Sequence, residues 1–313
     1  MKVLLVGYGS IGKRHFELLK GNKNVADVDV VTRYGNVAGR SFSDLYSIKH
    51  DVLSQYSLFL LCSETSLHEE QLRYIDAHVK NKIVLVEKPL ANRALNFIPN
   101  NKVHVTYNLR FHPVIRKLKL LLEDEQVLSF SVQAGQYLPT WRPGQDYKKS
   151  YSADLSRGGG VLRDLSHEID YTQWLCGRLN LVSAMAGSCS HLGLSSDDIC
   201  TILATNKWGT HIQIKMDYLS HRPKREIEIQ TDRYTISACL VNNDIKIYDC
   251  NGLVEVVECG KLDRNFTYLA MHNTVLENKL HMLTSFDDSN HVMGLIENIT
   301  DNYMDKKWLR TKE

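Results

Sequence analysis

The first twelve residues constrain this chain most. An apolar run, Val3 to Val6, reads as a buried strand, and it ends in Gly7-x-Gly9-x-x-Gly12. Helical spacing comes at once through Ile11, His15, Leu18 and Leu19. Strand, glycine turn and helix in that order make the fingerprint of a dinucleotide-binding unit. Gly7 permits a tight turn, Gly9 lets the backbone approach a pyrophosphate, and Gly12 lets the helix pack close to the strand. Ser10 and Ile11 open the helix, whose free N–H groups and positive dipole end suit phosphate. The alternative is an ordinary glycine-rich turn in an α/β domain.

Strand and helix signals alternate over about the first 110 residues, the rhythm of a doubly wound parallel sheet. Val28 to Val31, Leu58 to Cys62, Ile83 to Val86 and Val103 to Val105 read as strands, and Thr65 to Val79 as a helix. Beyond them the pattern changes. Pro113 to Leu122 predicts a helix, Val127 to Val132 a strand, and Gly158 to Cys176 a helix begun by glycines. Period-two strands come next: Ile212, Ile214, Met216 and Tyr218 alternate with His211, Gln213, Lys215 and Asp217, and Arg225 to Gln230 behaves likewise. Such runs predict a mostly antiparallel sheet with one covered face. Thr267 to Phe286 and Val292 to Tyr303 return to helix. The expectation is therefore an α/β chain: a Rossmann domain over 1–110 and, over 111–313, an α/β domain with a mostly antiparallel open sheet.

Composition excludes several classes. Lys and Arg total 38 against 36 Asp and Glu, a net charge of +2, so no strong field calls for nucleic acid. No apolar run approaches the ~20 residues of a membrane span. Seven cysteines without a C-x-x-C pair support neither a disulfide framework nor zinc and suit a reducing cytoplasm.

The second strand bears on which dinucleotide binds. NAD-binding folds of this type place a carboxylate at that strand's end to hold the ribose 2′-OH. Here the end reads Val31-Thr32-Arg33, and Asp29 lies too early. Arg33 can pair with a 2′-phosphate and Thr32 can hydrogen-bond it. NADP is favoured, with NAD possible; a solvent-facing arginine is the alternative for Arg33.

Two further constellations carry chemistry. Glu87-Lys88-Pro89 comes after a predicted buried strand, and ligands of doubly wound sheets sit at the carboxyl ends of their strands. Lys88 there can exchange a proton with a substrate hydroxyl; an exposed strand end is the alternative. The other is Gly158-Gly159-Gly160 followed by Asp164, His167 and Tyr171 at i, i+3 and i+7, one stripe of a continuous helix. Asp164 and His167 can act as an acid/base pair, or can simply cap and pack the helix. Metal ligation ranks last, since no second histidine stands at zinc-like spacing. In the loop before this helix, Trp141, Arg142, Tyr147, Lys148 and Lys149 are candidates for substrate binding. Arg142 and the lysines suit a phosphate or carboxylate, although a solvated basic loop reads the same.

Together these motifs, with Asn108-Leu109-Arg110-Phe111-His112-Pro113, give the chain a resemblance to the Gfo/Idh/MocA oxidoreductases over nearly its whole length. The resemblance implies hydride transfer between a nicotinamide cofactor and a secondary alcohol or ketone of a sugar or sugar nucleotide. By it, Lys88 corresponds to the active-site lysine, Asp164 and His167 to the acidic and histidine positions, Glu87 lies with the cofactor site, and Asn108 and Arg110 with the substrate site. One departure stands out: the family's histidine comes four residues after its aspartate, and here three. Tyr147 to Tyr151 with Leu165 to Tyr171 resembles a subgroup of bacterial surface-sugar pathways. The resemblance also implies a substrate-binding and oligomerisation role for the second domain, in a homodimer or homotetramer. Two other uses of such a chain are transient oxidation by a bound cofactor, for epimerisation or elimination, and non-catalytic sensing of a dinucleotide.

Overall fold

The computed structural model describes residues 1–33, 37 and 39–305. By internal contacts the chain divides into two units, Met1–Asn108 with Arg264–Met293, and Leu109–Asp263 with Gly294–Glu313. Segment Arg264–Met293 thus belongs with the first unit although most of the second precedes it, a return for which a division at residue 110 has no place.

The first unit is built on six strands, β1 (Lys2–Val6), β2 (Asp27–Val31), β3 (Ser41–Phe42), β4 (Leu58–Leu61), β5 (Ile83–Val86) and β6 (Lys102–Val105). Their order is β6-β5-β4-β1-β2-β3, with Thr284–Ser285 added beside β6. The six pair in parallel, and only Thr284–Ser285 runs antiparallel. This is the doubly wound order, with its switch point between β1 and β4. β4, and β1 beyond Lys2, are apolar because parallel strands are covered on both faces; Val3, Leu4, Leu5, Phe59, Leu60 and Leu61 are all fully buried. The register aligns Val6 with Val31 and Leu61, Leu61 with Val86, and Val86 with Val105. The residues after these five therefore stand level along one carboxyl edge.

In the second unit, β7 (Val127–Gly135), β8 (Asn180–Gly187), β9 (Ile199–Thr205), β10 (His211–Asp217), β11 (Lys224–Thr231), β12 (Thr235–Cys239), β13 (Asp244–Asp249) and β14 (Gly252–Glu258) form one sheet. Its order is β14-β13-β12-β11-β7-β10-β9-β8, ending on Met304–Asp305. Pairing is antiparallel except between β7 and β10 and at Met304–Asp305. Phe130, Val132, Ile212, Ile214, Ile227 and Ile229 line the covered face. On the open face Gln213 pairs across from Leu203, and Lys215 from Thr201 and then Met185. Leu203 and Met185 are exposed, so this face is less polar than the β10 stripe alone implies. Asp217 departs from that stripe: it is buried, and its Oδ1 accepts from the Leu219 and Ser220 amides.

The helix expected from Gly158 to Cys176 is two helices, Val161–Asp164 and His167–Cys176. Gly158 and Gly160 take φ of 79° and 115°, outside helical space, and Leu165 turns out of the helix at ψ 24°. Asp164, His167 and Tyr171 therefore do not share one continuous stripe. Near the end, one helix covers Phe266–Leu276, and the next starts at Phe286 rather than Val292 and stops at Asn302. Among the described residues, no helix is long and apolar enough to cross a membrane.

Candidate functional site

At the carboxyl edge of the parallel sheet, the glycine turn takes its shape from its neighbours. Gly7 has φ +96°, and a Cβ there would stand 2.7 Å from the Cys62 carbonyl carbon. A Cβ on Gly12 would lie 2.1 Å from the Gly7 carbonyl oxygen. Both glycines are demanded by the fold itself. Gly9 is not: it is exposed, its φ is −73°, and a Cβ would meet no atom within 4 Å. Inside the chain it serves only as a helix N-cap, and no steric contact demands a glycine there. It caps the helix Ser10–Lys20 with no side-chain partner for the first-turn amides, so Ser10 and Ile11 present free N–H groups as the fingerprint requires. These residues fit a dinucleotide pyrophosphate.

Beyond β2, Thr32 donates its amide to Phe42 while Arg33 is exposed. Asp29 is spent inside, where its Oδ2 accepts from Tyr56 at 2.6 Å and lies 3.7 Å from Lys2 Nζ. Burial first, then the Asp29 carboxylate, raise the Tyr56 phenol and keep it a donor. The acid nearest the expected ribose position is thus already committed.

Lys88 follows β5 at the same edge, half-buried, with a cis bond to Pro89. Glu87 turns the other way. Its Oε1 accepts from Thr106 Oγ1 at 2.6 Å and lies 2.8 Å from His15 Nε2. Burial favours the neutral acid, but His15, Thr106 and Lys88 outweigh it and hold the Glu87 carboxyl below its ordinary range. Glu87, expected beside the cofactor, is therefore an internal acceptor. Asn108 is also turned inward, donating to Thr267 Oγ1 at 2.7 Å.

In the second unit, Asp164 ends the short helix Val161–Asp164 and is buried. Tyr218, just past β10, donates to its Oδ2 at 2.7 Å. Tyr151 hydrogen-bonds it as well, and burial together with that carboxylate raises the Tyr151 phenol far above its usual range. The Arg142 guanidinium stacks over the Tyr151 ring at 5.1 Å, and Trp141 packs edge-on against Tyr218 at 5.6 Å. Trp141, Arg142 and Asp164 are thus brought together, with two tyrosines that sequence reasoning missed. His167 opens the next helix and is half-buried. Tyr147 donates to the Leu192 carbonyl, and Lys148 and Lys149 are exposed.

Arg110, expected at the substrate, is buried and gives Asp170 a bidentate pair at 2.9 and 2.7 Å. A guanidinium fully occupied this way is structural: removing one partner of such a pair strands a buried charge at a cost of about 3–5 kcal/mol. A pocket of about 200 Å³ adjoins the Asp164 cluster through Trp141, lined also by His112, Gln136, Leu165 and Arg225. Arg225 Nε is held at 2.6 Å by the buried Glu168. Burial, then the Arg225 charge, push His112 down to about 4, so it serves as a neutral imidazole. Asp197 organises the turn into the Asp164 helix, its Oδ2 accepting from the Leu162 amide at 2.8 Å and its carbonyl from Val161. The pairings of Arg110 with Asp170, Arg225 with Glu168 and Asp197 with Leu162 were not legible in advance, because each joins residues far apart in sequence.

Comparison with known proteins agrees with this geometry. Residues 119–237 match the model of the GFO/IDH/MocA C-terminal domain. No curated protein matches the chain. Among solved structures, the WlbA dehydrogenase from Bordetella pertussis, in complex with NADH and UDP-GlcNAcA, is similar at a TM-score of 0.76 and 17% identity over 97% of this chain and 95% of that one. UDP-N-acetylglucosamine 3-dehydrogenase GnnA from Acidithiobacillus ferrooxidans gives 0.73 and 18% over 96% of each. A levoglucosan dehydrogenase in complex with NADH and levoglucosan gives 0.80 and 18% over 97% and 96%. Residues 119–237 thus match the C-terminal domain of the Gfo/Idh/MocA family, and the fold of the chain is similar to that of these dehydrogenases from end to end.

Proposed function

We propose that this protein is an NADP(H)-dependent oxidoreductase acting on a secondary alcohol or ketone of a sugar or sugar nucleotide. One observation carries the reading: Gly9, which the fold does not require, stands open on the sheet edge that also carries Lys88. A nicotinamide bound there would accept or supply the hydride. Gly7, Gly9, Ser10, Ile11 and Gly12 hold the pyrophosphate, and Thr32 and Arg33 hold the 2′-phosphate. Lys88 and His167 are the candidates for taking the hydroxyl proton and for orienting its oxygen. Asp164, already accepting from Tyr151 and Tyr218, remains an acceptor for a sugar hydroxyl. Trp141 and Arg142 contact the sugar or its anionic group, with Tyr147, Lys148 and Lys149 further along the same loop.

Similar proteins bound to NADH with a sugar or UDP-sugar support this substrate class. A role in bacterial surface polysaccharide synthesis rests on the resemblance of 147–171 alone. All seven cysteines are free, which suits the cytoplasm. The open sheet face, with Leu203 and Met185 beside its polar residues, is assigned to a homodimer or homotetramer.

The test is mass spectrometry of the purified protein for a co-purified dinucleotide, then a nucleotide-sugar panel read by absorbance of the reduced nicotinamide. Net reduction or oxidation with one sugar supports the reading. A consumed sugar with no net cofactor change points instead to transient oxidation. Tight cofactor with no turnover of any sugar points to a sensor.

A further inference from the structure

Behind the carboxyl edge, the first unit buries a polar chain that the proposed reaction does not use. Thr106 and His15 meet on one oxygen of Glu87, and on the far side of its ring His15 Nδ1 stands 2.7 Å from His272 Nε2. His15 and His272 are 0% and 1% exposed, and Glu87 9%. The Tyr268 ring packs edge-on against His15. Four stretches of chain converge here: the helix after the glycine turn, the ends of β5 and β6, and the helix Phe266–Leu276.

The ionised Glu87 and His15 Nε2 share one hydrogen bond, and His15 Nδ1 and His272 Nε2 share the next. His272 Nδ1 has no hydrogen-bond partner among the described residues. Burial, and then the neighbouring His15, depress His272 well below the ordinary imidazole range, so it stays neutral. Well-packed apolar side chains would stabilise such a site at least as well. What a hydrogen-bonded polar chain adds is one fixed arrangement.

Its position says what is being fixed. His15 lies three residues after Gly12, and Glu87 immediately precedes Lys88. We propose that His15 and Glu87 are positioning residues: Glu87, anchored through His15 to the helix of the glycine turn, sets the backbone direction from which Lys88 leaves the sheet. His272 holds the other ring nitrogen of His15 and so fixes the ring's orientation. The inference rests on the assignment of Lys88 to the reaction.

Two substitutions at His15 separate positioning from plain stability. In His15→Gln the amide nitrogen falls near the Nε2 position and still donates to Glu87, while the contact with His272 is lost. In His15→Asn the amide falls near Nδ1, so His272 keeps a partner and Glu87 loses one. Both variants give up one hydrogen bond and should melt at similarly lowered temperatures. Expected for His15→Asn alone is a fall in kcat of roughly tenfold or more at unchanged KM, since small displacements of a reacting group cost rate steeply. The rate of reductive methylation of Lys88, read by peptide mass spectrometry against the other lysines, should shift in His15→Asn and stay at the wild-type value in His15→Gln. Equal kcat and equal Lys88 reactivity in the two variants would overturn the proposal. Should neither fold, the nearly isosteric Thr106→Val removes the other donor to Glu87, and unchanged Lys88 reactivity there overturns it equally. The labelling needs no turnover, so a protein inactive on every sugar would refute the oxidoreductase reading while leaving this question answered.

Discussion

Gly9→Ala separates what the glycine turn does for the fold from what it does for a ligand. Without ligand the new methyl meets nothing within 4 Å. As N-cap of the following helix, alanine is worse than glycine by about 0.5–1 kcal/mol. Against that, alanine restricts the unfolded chain and stabilises by about 0.4–1 kcal/mol where φ is compatible, as −73° is. The two terms offset to within about 0.5 kcal/mol, so the thermal midpoint by circular dichroism should barely move. Cofactor affinity should fall. Holding the pyrophosphate off by one methyl forfeits at least one charge-assisted hydrogen bond, worth about 1.5–3 kcal/mol, or about 10- to 150-fold in Kd. Gly12→Ala is the control of opposite character, because its Cβ would sit 2.1 Å from the Gly7 oxygen. Overpacking of that kind costs about 1–3 kcal/mol of stability even without ligand. Calorimetric titration of Gly9→Ala with NADPH and NADH decides the matter: wild-type affinity for both would refute the assignment of this turn to a dinucleotide.

Arg33→Asp should lose most of a preference for NADP(H) over NAD(H), by about 10- to 150-fold for one charge-assisted pair, and equal calorimetric affinities in the wild type would remove the premise. Lys88→Ala and His167→Ala should each lower turnover roughly 100-fold or more with little change in cofactor Kd; near wild-type turnover in either variant withdraws its role. Asp197 gives a pH signature, because burial raises its folded-state pKa from 3.8 to about 6. The folded protein then holds that proton more tightly than the unfolded chain does, so the contribution is full below pH 3.8 and is lost as pH rises through about 6. Denaturation midpoints across this window should fall with pH in the wild type relative to Asp197→Asn, and parallel curves would contradict the burial argument. Light scattering at micromolar concentration should show more than the 35.8 kDa of one chain; a monomer leaves the open sheet face without the role given to it.

Period and punctuation in the sequence were enough for the two kinds of sheet. Apolar runs such as Val3 to Val6 and Leu58 to Leu61 can be satisfied only by burial on both faces, and β10 and β11 alternate because one face is covered. The glycine turn was legible as a motif, although only the Gly12 requirement is local: Gly12 packs on the Gly7 carbonyl, while Gly7 is demanded by the Cys62 carbonyl at the end of β4. Local signals failed where the determinant was a distant partner. Gly158 to Cys176 looked like one helix because the 3.6-residue spacing runs through it, but positive φ at Gly158 and Gly160 and the turn at Leu165 divide it. Arg110, Asn108 and Glu87 looked available for ligands, and the tertiary structure commits them to Asp170, Thr267 and the His15–Thr106 pair, between 19 and 159 residues away. Tyr151 and Tyr218 gave no signal in advance, because a tyrosine becomes part of a site only through the carboxylate it meets. The return of Arg264–Met293 to the first unit was equally silent: an apolar helix such as Phe266–Leu276 records that it needs a partner, and only the folded chain determines which one.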